Sequence, residues 1–551
     1  MAGIPSVPTV PSWLPLWRFA LVVGVGVSAL VVVKVVGPDG AWSARLRERF
    51  VLGVPWGTLA TAVFLVAVYL FLQGGADNLY SPLVVPFRAW SYRYPLGIVT
   101  APFSHAGFGH LQSNLLGTIT FGAVAEYAYG HFPRRRGSQA FSSLPANPYA
   151  RIAGFLAAVA GVGLLTSVFG VGWIIGFSGV VFAFAGFALV RYPLTTVLVI
   201  FAGRVIDLVR AAFRNPTVTA EGTNRFVTPW WADVAIQGHY LGLLIGVVAG
   251  VVVTVRLDRR PRVGRVWFAT IVFAVSESMW ALYWFLGNGR YVLFRAPGTA
   301  AVFLLAALVV AALAASDRRL VARIDLRRRE TALIILGALC LAVALAAVPV
   351  NLLTVADSSP PGEHVQVRDY RVAYAEDVSN EYVSLLNVSI GGLSTEVNTS
   401  GVIVISERRH IWYTAVTESR LAFSHRERVR LGGLGWERTV VVNRSGWSAT
   451  GGGNAYRVSL RPPGRQPRGV YTSPPARAEP VLRGNNVSLN ATERRFLIEL
   501  ARDNETTVRV RVPPPGENTT AAGITFNRTG NRVYALFNGT RVRIAKRNTG
   551  N

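Results

Sequence analysis

Ser178 sits in Gly176-Phe177-Ser178-Gly179 and His239 in Gln237-Gly238-His239-Tyr240-Leu241-Gly242. Each lies inside an apolar run long enough to cross a bilayer. A third such run carries His110, Asn114 and Glu126. Polar groups are costly in hydrocarbon, so those found there mark functional sites by default. A serine hydroxyl becomes a nucleophile when a neighbouring base takes its proton, and His239 is the candidate base. Asn114 brings an amide NH2, His110 a ring N–H and Ser178 its own backbone N–H, which are the donors that a developing oxyanion requires. No acidic third member is evident, so the set reads as a Ser–His dyad rather than a triad. Taken alone, Ser178 also reads as a small packing residue, and His239 as a buried, satisfied histidine or a pathway residue.

Membrane-spanning helices must place these groups. Of 551 residues, 51% are hydrophobic and 15% charged, against about a quarter charged in an ordinary soluble domain. Ten apolar runs mark candidate spans at 14–36, 55–73, 110–130, 152–170, 172–191, 193–209, 233–256, 266–287, 297–315 and 331–354. A single soluble globule and low-complexity disorder are excluded. So is a disulfide scaffold, since the only cysteine, Cys340, lies within an apolar run. The first run carries Arg18 and lacks a small-residue cleavage site, so it reads as a retained helix. The net charge of +27 is almost all arginine, set in short clusters between the runs and spread through residues 355–551, with no nucleic-acid recognition motif beside them. The chain is therefore expected to meet a lipid bilayer, and no nucleic acid.

Arginine placement orients the spans. With the N-terminus outside, the cytoplasmic loops hold nineteen arginines, among them Arg45, Arg134, Arg151, Arg191, Arg262 and Arg327, and the opposite loops hold seven. Residues 355–551 then lie outside. That segment holds nine N-x-S/T triplets, at Asn387, Asn398, Asn443, Asn486, Asn490, Asn504, Asn518, Asn527 and Asn538, and residues 1–354 hold none. Such triplets accept glycans only on a translocated surface. Lysine is confined to Lys34 and Lys546, and with the triplets this suits a prokaryotic, specifically archaeal, plasma-membrane protein. In this orientation the third, fifth and seventh spans run inward. Counting from the span starts places Ser178 and His239 about 9–10 Å below the outer boundary, and Asn114 about 6 Å below it. The tail reads as strands, with β-branched stretches at Val402–Ile405, Arg438–Val442 and Thr507–Val512, and with a Pro- and Arg-rich linker over 461–480.

At these residues the sequence resembles the rhomboid family of intramembrane serine proteases. The matching pieces occur in the family's order: Ser104-His105-x4-His110-x3-Asn114-Leu115-Leu116, Glu126-x3-Gly130, Gly176-x-Ser178-Gly179, then His239-x2-Gly242 with Gly246. The resemblance covers about residues 55–256. It implies a six-helix core with Ser178 as nucleophile and His239 as base, and transmembrane proteins as substrates. It implies an oxyanion site of His110, Asn114 and the Ser178 amide, and structural roles for His105 and Glu126. Gly176 and Gly179 would let another backbone approach the serine, and Gly242 and Gly246 would let two helices meet closely. The sequence departs from the family at Leu96-Gly97, where a Trp-Arg pair is frequent, and at Gly238, where alanine is common.

The expected fold is an all-α polytopic membrane protein, a rhomboid-like six-helix core with about four extra helices, carrying a β-rich, sandwich-like extracellular C-terminal domain. The expected divisions are 1–54, with the first extra helix; 55–256, the core; 257–354, three further helices; and 355–551, the exterior domain. The expected activity is an intramembrane serine endopeptidase with no metal and no other cofactor. His105 and His110 are five apart, a poor spacing for joint ligation on one helix face, and no HExxH occurs. Two other readings stand beside it. One is a non-catalytic rhomboid-like binder of membrane helices. The other is a transporter with Glu277, Arg204 and the histidines on its pathway.

Overall fold

The computed structural model describes residues 16–36, 41–133, 143–216, 227, 229–232, 235–256, 261–314, 319–321, 324–353, 359–383, 388–502 and 505–548. Arg134, Arg135, Arg136, Arg225, Arg259, Arg260, Arg318, Arg323, Asn387 and Asn504 lie outside the described residues. Before residue 354 the chain is mainly helical: α1 Leu16–Val36, α2 Ala41–Arg49, α3 Trp56–Ala67, α4 Pro95–Thr100, α5 Phe108–Gly117, α6 Ala123–Tyr129, α7 Pro148–Val168, α8 Ser178–Arg191, α9 Pro193–Arg214, α10 Ile236–Arg256, α11 Val263–Ser276, α12 Arg295–Ala314, α13 Arg328–Leu345 and α14 Ala347–Leu352. Proline opens α4, α7 and α9, where its missing N–H costs nothing. The Asn147 side chain caps α7 by accepting from Tyr149 N and Ala150 N.

Among the described residues, four helices are long and apolar enough to cross a membrane: Pro148–Val168, Ile236–Val255, Arg295–Ala314 and Arg328–Leu352. Shorter apolar helices lie at Leu16–Val31, Trp56–Leu72, Ser178–Arg191 and Val263–Ser276. Large apolar side chains point outward, including Phe19, Leu198, Phe201 and Leu304, as a lipid-facing surface requires. One apolar cluster runs through the bundle from Leu65 to Leu336.

Packing is closest between α8 and α10. A Cβ on Gly242 would lie 2.0 Å from the Gly179 carbonyl oxygen, and one on Gly246 would lie 1.9 Å from that of Ala183. Only glycine permits this approach, and it ties the two helices at the ends that carry Ser178 and His239. At the far end of the bundle Glu126 is fully buried. It accepts from Gly57 N at 2.8 Å, Thr58 N at 2.7 Å, Thr58 Oγ1 at 2.7 Å and His131 Nε2 at 2.6 Å. Four donors fill the lone-pair sites of a carboxylate, so α6 is fixed to the start of α3.

Two expected spans are corrected. The 172–191 run is helical only from Ser178, because Gly172 and Gly176 take φ of +77° and +128° and the segment before the serine is a partly exposed apolar loop, which hydropathy alone does not distinguish from a helix. The 266–287 run stops being helical after Ser276. Its aromatic end, Leu282–Phe285, pairs as a hairpin with Tyr291–Phe294 across Gly287-Asn288-Gly289. The last run is helical over Arg328–Leu352, with Ala346 between α13 and α14 keeping helical backbone angles. Arg204, on α9, donates to the Ser276 carbonyl at 3.4 Å.

The C-terminal region is β-rich and antiparallel. One sheet orders Ile411–Thr417, Asn398–Ser406, Tyr370–Ser379 and His364–Val367. A second is built around the long strand Trp436–Ala449, and a third holds the four strands from Ala476 to Arg511. Asn485–Ala491 alternates buried and half-buried along its length, the period-two signature of a strand. The expected linker over 461–480 is a correction: Arg468–Thr472 and Ala476–Leu482 are strands, since Pro462, Pro463, Pro467, Pro474 and Pro475 fall outside them and Pro480 sits at the register shift between Ala478 and Val481, where it breaks no ladder pairing.

This region docks on the bundle. Val85, Trp90 and Tyr94 from the segment after α3 share an apolar cluster with Tyr370, Val402, Ile403 and Val404. Tyr382 Oη donates to Trp90 O at 2.9 Å, and Trp284 Nε1 donates to Ser394 O at 3.1 Å. Arg409 bridges Asp369, at 2.5 and 3.2 Å, to the Tyr94 hydroxyl at 3.2 Å. Burial by itself would push the Asp369 carboxyl up, but the Arg409 hydrogen bonds and charge outweigh it and hold the group below its ordinary value. A depressed carboxyl contributes stability above its unfolded pKa and loses it as pH falls through the folded one. Docking should therefore be unchanged from pH 7 down to about pH 4 and weaken below that. Hydrogen exchange in the Tyr370–Ser379 strand across this range reads the effect. Asp369→Asn should lose the acid-dependent component, and identical pH profiles in both proteins would refute this assignment.

Candidate active site

Three helices bring their N-terminal ends together. Ser178 is the first residue of α8, so its backbone N–H has no acceptor within the helix. His239 lies in the first turn of α10, and His110 in the first turn of α5. His239 Nε2 and Ser178 Oγ are 2.9 Å apart. With Nε2 unprotonated, the ring accepts the serine O–H. The imidazole plane is set by Phe182, whose ring stacks on it at 4.1 Å and 15°. Phe182 is one helical turn after Ser178, so the same face of α8 carries the hydroxyl and the platform for its partner. Both Ser178 and His239 are half-buried, which leaves the pair accessible. No Asp or Glu among the described residues is hydrogen-bonded to His239.

The other polar residues converge on the backbone just before the serine. A Cβ on Gly176 would lie 2.5 Å from His110 Cε1, 2.7 Å from His110 Nε2 and 3.6 Å from Asn114 Nδ2. Glycine is needed there twice over, for this closeness and for φ of +128°. Asn114 is buried, and its Nδ2 has no acceptor among the described residues. A buried donor without a partner carries a cost of about 1–3 kcal/mol, so this amide is available to an incoming oxygen. Gly176 N donates to Ala101 O at 2.9 Å, which anchors the turn into the serine.

His105 does not face the serine. It is fully buried and packs edge-on against His110 with ring centroids 5.3 Å apart. Its backbone is held by Gln73, which accepts from His105 N and donates to His105 O, both at 2.8 Å. Among the described residues no three His, Cys, Asp or Glu side chains are grouped to hold a metal. Gly97 stands where the family often has arginine. A Cβ there would lie 2.0 Å from the Arg88 carbonyl oxygen, so the chain's own backbone fills the space of a side chain.

Residues 92–256 match the family model of the rhomboid domain. The chain carries a rhomboid domain over these residues. No curated protein and no solved structure matches it. The matched stretch of the rhomboid domain runs from before α4 to the end of α10 and so contains His110, Asn114, Ser178 and His239. It leaves out α1 to α3 and everything after Arg256. Rhomboid proteins are membrane-embedded and multi-pass, and the family is in general one of intramembrane serine proteases, with inactive relatives.

Sequence reasoning did not single out Phe182, Gln73, His131 or Asn351, and gave Gln237 no role. A signal existed for Phe182, an aromatic four residues after the serine, and for Gln237, an amide two residues before the histidine. His131 directly follows Glu126-x3-Gly130 and bonds that glutamate, which was a local signal, whereas Gln73 and Asn351 bond main-chain groups that no local pattern marks.

Proposed function

We propose that this protein is an intramembrane serine endopeptidase that cuts transmembrane helices of other membrane proteins near the outer face of a prokaryotic plasma membrane. The observation that carries the reading is the 2.9 Å contact between Ser178 Oγ and His239 Nε2, a distance at which proton transfer is direct. Ser178 Oγ attacks the carbonyl carbon of the scissile peptide while His239 Nε2 takes its proton. The oxyanion so formed is met by Asn114 Nδ2, a His110 ring N–H and the Ser178 backbone N–H, donors fixed in place before the charge develops. Collapse breaks the C–N bond, and the leaving amine takes the proton from His239. Water then attacks the Ser178 ester, giving one proton to His239 that returns to the serine as the new carboxyl end departs. A helix hides its carbonyls in i→i−4 hydrogen bonds, so substrates should unwind at the cut, and weak helix formers there favour cleavage. The C-terminal region docks beside the loop that leads into Ser178, in keeping with an extracellular, glycosylated domain on the face where substrates are cut.

Full-length protein and its Ser178→Ala variant, reconstituted with a single-span substrate, test the proposal. Cleavage by the wild type and a loss of about 10⁴-fold or more in the variant is the expected result. Equal cleavage by both removes Ser178 from the chemistry, and no cleavage or serine-probe labelling by either would favour a non-catalytic membrane-helix binder.

A further inference from the structure

The loop entering Ser178 is held by residues on both sides of it, one of them far outside the rhomboid domain. The Asn351 side chain, on α14, donates to Val168 O at 3.3 Å and Gly170 O at 2.7 Å, and accepts from Gly172 N at 3.3 Å. Gln237, two residues before His239 on α10, takes the alternate groups. It donates to Phe169 O at 2.8 Å and accepts from Val171 N at 3.0 Å. Its amide also donates to Val343 O on α13 at 2.7 Å. Two side-chain amides therefore read five consecutive backbone positions. Asn351 is almost fully buried, and its own carbonyl accepts from Tyr92 N at 2.9 Å. Tyr92 Oη in turn donates to Val168 O at 2.8 Å. Beyond Gly172 the hold passes to Trp173, which stacks on Tyr382 of the C-terminal region with ring centroids 4.9 Å apart. Ala89 N then donates to Ile174 O at 3.1 Å.

We propose that Asn351 is a positioning residue for Ser178, and that the C-terminal part of this chain completes an active site the rhomboid domain alone does not hold in register. The claim rests on the serine–histidine reading above. The physical argument is that residues 169–177 form no helix or strand and include Gly170, Gly172 and Gly176. Such a segment has a large conformational entropy to lose. Within the loop, Ile174 N donates to Gly172 O at 2.8 Å. The cross-links from Asn351, Gln237, Tyr92 and Ala89 come from elsewhere in the chain and fix the path that ends at Ser178. Gln237 ties the loop to the helix of the base, while Asn351 ties it to the element that leads into the C-terminal region. A displacement of about 1 Å at a nucleophile can cost on the order of a hundredfold in rate. Asn351 touches no atom of the dyad, so its effect must act through the loop.

The test uses full-length protein, wild type and Asn351→Ala, with a fluorophosphonate probe, a single-span substrate and hydrogen exchange. The proposal expects labelling of Ser178 slowed roughly tenfold or more, kcat lowered to the same degree and KM within about twofold, because Asn351 does not meet substrate. Exchange should rise in peptides covering 169–174 and stay unchanged in those covering α8 and α10. If the alanine variant does not accumulate, Asn351→Asp is read the same way, since it keeps an acceptor for Gly172 N and loses both donated bonds. Wild-type rates of labelling and cleavage in an accumulating variant would overturn the proposal. An unlabelled, inactive wild type would instead overturn the serine reading, and exchange at 169–174 would still decide whether Asn351 holds the loop.

Discussion

His239→Ala is expected to lower the rate of substrate cleavage by about 10⁴-fold or more while leaving KM within a few-fold. The serine hydroxyl is a poor nucleophile without a base. Among the described residues, the nitrogen placed to take its proton is His239 Nε2, at 2.9 Å. The same nitrogen must then protonate the departing amine, so its loss raises both barriers of the acylation step. The fold should survive the change. His239 is half-buried and among the described residues its side chain bonds to Ser178 alone, and Phe182 remains packed against Phe273. Fluorophosphonate labelling separates the possibilities, because it reports the nucleophile without needing a substrate helix to enter. Labelling should fall with cleavage. The Ser178→Ala, His239→Ala double variant should be no worse than either single one, since the two groups act as one unit. A His239→Ala protein that labels at the wild-type rate would remove the imidazole from the mechanism and leave the 2.9 Å contact as a packing feature.

Gly246→Val should separate the two helices that carry the dyad. A Cβ at this position would sit 1.9 Å from the Ala183 carbonyl oxygen and 2.7 Å from its carbon, both backbone atoms. Flexible side chains can turn away from such a clash, whereas a helix backbone cannot. Relief therefore needs α8 and α10 to move apart by more than about 1 Å, at the upper end of or beyond the 1–3 kcal/mol range of overpacked cores. The expected result is a lower melting temperature together with loss of most activity, because the same shift carries Ser178 away from His239. Gly238→Ala is the matched control. No heavy atom lies within 4 Å of a Cβ at that site, and alanine is the better helix former by about 1 kcal/mol. It should retain activity. A Gly246→Val protein with wild-type stability and turnover would show that the close α8–α10 approach does not position the dyad.

The contrast between these two glycines shows where sequence reasoning reached its end. A four-residue spacing of Gly242 and Gly246 announces a close helix contact, and the structure supplies the partner, α8. Gly238 belongs to the same spacing and yet faces open space, and no sequence pattern separates it from the other two. Span limits followed the same logic. The apolar character of 172–191 is plain, but an apolar loop and a helix present the same composition, and the distinction comes from main-chain bonds to Asn351 and Gln237. The prolines over 461–480 read as a linker, although five of them fall between short strands and Pro480 sits at a strand's register shift.

By itself the sequence determined the membrane-embedded character, the β-rich C-terminal region and the small set of polar residues within apolar helices. These depend on composition and local periodicity, which survive in one dimension because hydrocarbon penalises every polar group placed in it. Only the tertiary structure decided that Ser178 opens α8 rather than lying inside it. It also decided that Phe182 sets the plane of the imidazole, and that Asn351, from beyond the rhomboid domain, holds the serine's loop. Those facts depend on contacts between residues far apart in the chain. The bonds are made largely to main-chain carbonyls and N–H groups, which every residue carries alike and which therefore leave no mark in the sequence.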